Sequence, residues 1–196
     1  MNNKKADFLQ LCSDGENCRK CPRFIGNRKI LSDNNGNLDS PVIIIAQAPG
    51  QGANMLGYPL RGDGVGNNFD YILRAIGWER RDIFITNAIL CVAQVDQRNV
   101  VPDEVEIDNC SEYLKRTIEL VNPDVVVTLG EVALNALKNI SPHDYVMNET
   151  VAQANQWTDK ILFPLYLMTD SVLQRHRGME QQIQDFLDLR GIVDNL

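Results

Sequence analysis

Four short apolar runs punctuate the chain: Val42 to Gln47, Ile83 to Ala88, Asp124 to Leu129 and Lys160 to Leu165. They are rich in β-branched residues. In the first three, apolar positions do not alternate with polar ones, which is the pattern of strands buried on both faces of a sheet. Between the runs the period changes. Phe69 to Ile76 has helical spacing and is ended by Gly77, and Glu104 to Leu120 repeats apolar residues at three- and four-residue intervals. Glu131 to Leu137 follows the Leu129-Gly130 turn, and a last helix is expected from Gly178 to Leu189. Strand alternating with helix predicts an α/β fold, here a three-layer α/β/α arrangement with a central, mostly parallel, four-stranded sheet. The polar stretch Ser32-Asp33-Asn34-Asn35-Gly36-Asn37 reads as a hairpin or surface turn.

Ligands in such folds gather at the carboxyl ends of the strands. After the first strand comes Ala46-Gln47-Ala48-Pro49-Gly50-Gln51-Gly52-Ala53-Asn54, and Gly57-Tyr58-Pro59-Leu60-Arg61-Gly62-Asp63-Gly64-Val65-Gly66 then leads into a helix. Glycine at this density lets backbone approach a ligand closely and present amide N–H groups to it. The loop lacks the Lys-Ser/Thr ending of a nucleotide-binding P-loop, and it is not a dinucleotide fingerprint.

With 196 residues, 44% of them apolar, and no apolar run long enough to cross a bilayer, the expectation is one soluble domain over residues 1–196, monomeric and not associated with membranes. The net charge is 19 − 26 = −7, which argues against a whole-surface attraction to nucleic acid and leaves room only for a local basic patch. Four of the five cysteines change the picture further. Cys18 and Cys21 form a Cys-x-x-Cys pair, Cys91 follows the second strand, and Cys110 lies in the Glu104 to Leu120 helix. Four soft ligands from three segments suit a 4Fe-4S cluster or a structural zinc. The spacing also admits a redox pair with two small buried cysteines. An odd cysteine count, leaving Cys12 over, and no secretory segment ahead of the chain make a disulfide framework the poorer reading and the cytoplasm the expected compartment.

Taken in order, Cys18-x-x-Cys21-Pro22, Ala48-Pro49-Gly50, Gly57-x-Pro59, Thr86-Asn87 with Cys91, then Arg98, Pro102, Glu104, Cys110, Leu114, Pro123, Leu129-Gly130 and Ala133 resemble the iron–sulfur branch of the uracil-DNA glycosylase superfamily. Gln51-Gly52-Ala53-Asn54 and Gly62-Asp63 look more like its fifth family, and the other motifs suit the fourth equally. The resemblance implies that Cys18, Cys21, Cys91 and Cys110 hold a 4Fe-4S cluster acting mainly as a structural staple. It implies that Asn87 reads the base edge, since a carboxamide offers both donor and acceptor. Ala48, Pro49, Gly50, Asn54, Leu60 and Leu167 would fall around the base, and Gln47 would place water. The chain departs from the fourth family at several of these positions. Gln47 stands where a carboxylate handles water, Ala53 and Asn54 stand at two acidic positions, and Leu60 replaces a stacking aromatic. Leu167 falls where the superfamily's second motif has a histidine that stabilises the departing base. His176, the histidine nearest that end, reads better as a surface residue of a basic turn whose Arg175 and Arg177, with Arg61, are candidate phosphate contacts.

The activity this implies is hydrolysis of the N-glycosidic bond of uracil or another deaminated base in DNA. Two alternatives stay open: a catalytically silent nucleic-acid-binding member, and an enzyme acting on a free nucleobase or nucleotide.

Overall fold

The computed structural model describes residues 4–196. Its strands are β1 (Val42–Ala46), β2 (Phe84–Asn87), β3 (Gln94–Val95), β4 (Arg98–Asn99), β5 (Val125–Leu129), β6 (Asn155–Trp157) and β7 (Lys160–Leu165). The helices are α1 (Lys4–Glu16), α2 (Gln51–Leu56), α3 (Gly64–Ala75), α4 (Glu104–Val121), α5 (Glu131–Ala136), α6 (Met147–Thr150), α7 (Asp170–Arg175) and α8 (Met179–Val193). The main sheet runs β2-β1-β5-β7-β6; β1, β2, β5 and β7 are parallel and β6 pairs antiparallel with β7. The sheet therefore has five strands rather than the four expected. The extra strand is three residues long and reaches β7 through a tight turn with Thr158 at φ 55°. A half-exposed edge strand that short carries neither an apolar run nor a readable alternation.

Non-alternating strands become buried on both faces because helices cover both. On one side Ile43, Ile45, Phe84, Val126 and Leu162 pack with Phe8 and Leu11 of α1 and Leu114 and Ile118 of α4. On the other, Ile44, Ile85, Val127 and Phe163 pack with Phe69, Ile72 and Leu73 of α3 and Phe186 and Leu189 of α8. Edge-to-face ring pairs lock each layer, Phe8 on Phe84 at 5.8 Å and Phe69 on Phe186 at 6.2 Å. Truncating one such buried ring to alanine typically costs about 3–5 kcal/mol. Helix α4 starts with a reciprocal capping box between Asp103 and Glu106, and α3 with Asp63 accepting from the Gly66 N–H.

Of the two readings of Ser32 to Asn37, the structure has the turn and not the hairpin. The stretch forms a 3-10 turn over Asp33–Asn35, with Asn35 buried and its Nδ2 donating to the Ile85 carbonyl at 2.7 Å, and Gly36 bridges Phe84. The turn thereby covers the outer edge of β2, whose backbone groups would otherwise be unpaired. Gly36 has φ 113°, and a Cβ there would meet the Ile83 carbonyl oxygen at 2.2 Å, so the seal requires glycine. No described helix is long and apolar enough to cross a membrane.

Candidate functional site

The carboxyl ends of β1 and β7 open into one cleft. Ala46, Gln47, Ala48, Pro49 and Gly50 line it from the loop after β1, Leu60, Arg61 and Asp63 from the loop before α3, and Leu167 and Thr169 from the loop after β7. Ala93, Asn99 and Val100 close it from the β3–β4 arm. Its volume of about 190 Å³ is several times the roughly 30 Å³ that one water occupies, so it admits a ring rather than a solvent molecule. The walls are held by backbone bonds: the N–H groups of Ala88, Ile89 and Ala93 donate to the carbonyls of Ala46, Gln47 and Pro49 at 2.7, 3.3 and 3.2 Å. The Asn68 side chain ties α3 to the Met168 carbonyl at 3.0 Å.

Asn87 ends β2 opposite Ala46, its register partner, and so shares a sheet face with a residue of the cleft. It is 1% exposed, and neither Oδ1 nor Nδ2 has a hydrogen-bond partner. A buried carboxamide left in that state is costly, by about 1–3 kcal/mol for each unsatisfied group. Asn54 is not part of the cleft lining. The segment read as loop is helix α2, which turns Ala53 inward and leaves Asn54 half-buried, its carbonyl accepting from Arg28 Nη1 at 2.7 Å.

Leu60 is buried at φ 48°, a left-handed conformation that costs a non-glycine residue about 1–2 kcal/mol. The Arg80 guanidinium braces it. Its Nη1 donates to the Pro59 carbonyl at 2.8 Å, its Nη2 to the Leu60 carbonyl, and its Nε to Asp70 Oδ1 at 2.7 Å. Burial lowers the Arg80 pKa from its ordinary value, and Asp70 opposes that shift. Asp63 uses Oδ1 to cap α3, while its Oδ2 lies against Gly50, where a Cβ would stand 3.0 Å away. Asp63 thus brings a carboxylate to a cleft whose own first loop has Gln47.

The basic candidates divide. Arg61 lies over the Tyr58 ring at 5.0 Å on the cleft wall. Arg175 is exposed in the last turn of α7. Arg177 instead forms a two-pronged pair with the buried Asp185, Nη2 to Oδ1 at 2.5 Å, and that bonding raises its pKa. His176 is exposed, stacked on Tyr166 at 6.3 Å, and does not line the cleft.

The four cysteines Cys18, Cys21, Cys91 and Cys110 line a second, smaller recess beside the first, with Tyr113, Asn109 and Glu106. Arg23, just after Cys21, pairs with the buried Glu106, Nε to Oε1 at 2.8 Å, which seats the Cys-x-x-Cys turn on α4. Two N–H groups point at sulfur: Leu90 N–H at 3.3 Å from Cys110 Sγ and Asn109 Nδ2 at 3.8 Å from Cys21 Sγ. Burial pushes the thiol of Cys91 up to about 11 and that of Cys110 to about 12, and the neighbouring thiolates push the same way. Among the described residues no three Cys, His, Asp or Glu side chains converge on one point as a single bound ion requires. The thiols surround a space instead.

A family model described as Uracil DNA glycosylase superfamily matches residues 34–187. The chain belongs to that superfamily. Among the curated relatives of this uracil DNA glycosylase superfamily member, a Type-4 uracil-DNA glycosylase of Archaeoglobus fulgidus is 28% identical over 86% of this chain and 84% of its own length. One of the same name from Thermotoga maritima is 32% identical over 67% of this chain and 66% of its own. A Type-5 uracil-DNA glycosylase of Pyrobaculum aerophilum is 28% identical over 63% and 66%. The family-model match opens after Cys18 and Cys21 and takes in Cys91, Cys110, the whole cleft and Asn87.

Within this superfamily member, Asp63, named from the sequence only as part of a Gly62-Asp63 motif, lines the cleft, and Arg80, not named at all, braces the cleft residue Leu60 from outside it. Asp63 had a signal, as an acidic residue just ahead of a helical pattern. Arg80 had none, because its partners lie ten to twenty-one residues back in the chain.

Proposed function

We propose that this protein is a DNA glycosylase that hydrolyses the N-glycosidic bond of uracil or another deaminated base. The observation that carries the reading is the Asn87 carboxamide, which does not line the cleft itself but lies buried at the end of β2 beside the cleft residue Ala46, with donor and acceptor both unpartnered. A pyrimidine edge offers the complementary pair, and a base rotated out of the duplex would satisfy both groups at once. Leu60 and Pro49 form the apolar walls against its faces. As the bond breaks, its electron pair leaves with the base and the sugar becomes cation-like. Water then adds at the sugar carbon and gives up its proton, to the leaving base or to solvent. Gln47 orients that water, and the Asp63 carboxylate on the same cleft favours both the developing positive charge and the proton's departure. Leu167 cannot donate to the leaving base, so the reaction runs slower than with a donor there, by on the order of 10²–10³. Of the candidate arginines, Arg61 and Arg175 can meet phosphate, while Arg177 is committed to Asp185.

Cys18, Cys21, Cys91 and Cys110 would hold a 4Fe-4S cluster. Four thiols lining one recess, with N–H groups directed at two of them, support a thiolate-held metal group, and the resemblance to the iron–sulfur branch favours the multi-iron core over one zinc ion. When bound, the group would supply a cross-link between the segment after α1, the segment after β2 and α4. The protein's expected setting is the cytoplasm, where such a cluster persists beside reduced thiols.

The test is single-turnover incubation of anaerobically purified protein, its cluster followed by visible absorption, with labelled oligonucleotides bearing uracil, hypoxanthine or xanthine. Alkali-labile breaks that Asn87→Ala abolishes are expected. Retardation of DNA without breaks would establish the silent binder instead, a reading favoured by Leu167. Release of base from nucleosides alone would establish the free-base enzyme.

A further inference from the structure

Arg80 touches neither cleft nor cysteines as a lining group, yet its bonds converge on the one strained residue of the cleft wall. We propose that Arg80 is a positioning residue that sets the width of the base slot, by clamping the Pro59 and Leu60 carbonyls so that Leu60 stays left-handed with its side chain against the base. The proposal rests on the base-pocket reading above.

Three features single out this contact. The guanidinium is mostly buried, its side chain 18% exposed, and it faces Asp70 and the Phe69 ring, both on α3. Helix α3 is in turn packed on the sheet through Phe69, whose ring meets Phe186 of α8, and is tied to the loop after β7 by Asn68. The clamp therefore refers the loop to the rigid core rather than to its own flexible ends. Leucine also adopts φ 48° only when its surroundings over-determine it. Two carbonyls held by one planar fork are such a constraint, and a lysine, with a single compact ammonium, cannot reproduce both bonds together with the one to Asp70.

Two measurements test it. The first is a crystal structure of Arg80→Met, or of Arg80→Lys should the methionine variant fail to fold. Departure of Leu60 from positive φ is expected, and an unmoved Leu60 overturns the proposal. The second is a double-mutant cycle with Leu60→Gly, since glycine takes the left-handed conformation freely and presents no wall. Arg80→Met should raise the half-saturating concentration of a uracil-containing oligonucleotide by about tenfold or more when Leu60 is present. It should do so by less than about twofold in the Leu60→Gly background, with the maximal single-turnover rate changing less than the half-saturation in both. Equal factors in both backgrounds would mean that Arg80 acts through general stability, and the proposal falls. If the wild-type protein releases no base, the glycosylase reading fails, while the crystal structure still decides the clamp.

Discussion

Replacing Asn87 by leucine separates folding from function at one position. Asn87 is 1% exposed and both ends of its carboxamide lack partners. Leucine has nearly the same outline, and swapping an unsatisfied polar group for an apolar one of equal shape is neutral to stabilising. Removing the penalty of even one of the two orphaned groups should stabilise the free protein by about 1–3 kcal/mol. At roughly 2–4 °C per kcal/mol for a chain of this size, the melting temperature should rise by about 2–12 °C. The same change removes both hydrogen bonds to the base edge, so single-turnover release of uracil should fall by at least about 10². Calorimetry and the oligonucleotide assay on one preparation read both numbers. A melting temperature lowered by several degrees would show that the carboxamide is already satisfied in the free protein, by an ordered water for instance, and the idea that it is held in reserve for a base would be refuted. Base release within tenfold of wild type would remove Asn87 from base recognition altogether.

Leu167→His should restore a donor to the departing base and raise the single-turnover rate by on the order of 10²; an unchanged rate would mean that Leu167 does not face that atom. Arg61→Ala should weaken binding of oligonucleotides of any sequence and lower the slope of log affinity against log salt by about one, measured by titration at several salt concentrations. Arg177→Ala should act on stability instead, by about 3–5 kcal/mol, because it strands the Asp185 carboxylate, which is 2% exposed, without its partner. Arg175→Ala serves as the matched control, since that side chain is exposed and a denaturant midpoint should not register its loss.

The strands and most helices were legible because burial on both faces leaves unbroken apolar runs and helix faces leave a three-to-four spacing. Phe69, Ile72 and Leu73 of α3 and Leu114 and Ile118 of α4 are the buried residues that made those patterns. Short elements were not legible for the converse reason. β6 has only Trp157 fully buried, and α2 reads as a loop because its six residues include Gly52 and bury just that glycine and Ala53. Helix α1 buries Phe8, Leu11 and Gly15, a face too thin to stand out beside its charged neighbours. In the cleft, the loops at strand ends were foreseeable from topology, and the family resemblance picked out Gln47, Ala48, Pro49, Gly50, Leu60 and Leu167 within them, residues that line one space. Asn54 was misplaced once the loop proved helical. The Arg177–Asp185 pair and the Arg80 clamp were invisible, because a charge acquires its partner only when the chain folds.

The division of labour in the cleft explains how a glycosylase scaffold tolerates altered chemical groups. Asn87 is fixed by β2, a strand buried on both faces, and its position is a consequence of the sheet register that pairs it with Ala46. Gln47 and Leu167 sit one or two residues beyond strand ends and line the cleft, Leu167 also resting on the core beneath it. Substitution there changes the chemistry at small cost in stability, whereas substitution at the strand positions beneath alters the fold. On the proposed reading, base recognition rests on a sheet residue while the groups that handle water and charge rest on the loops. Asp63 shows the same logic in reverse: a carboxylate required to cap α3 faces the cleft already, and it can carry charge there without any residue having been recruited for that purpose.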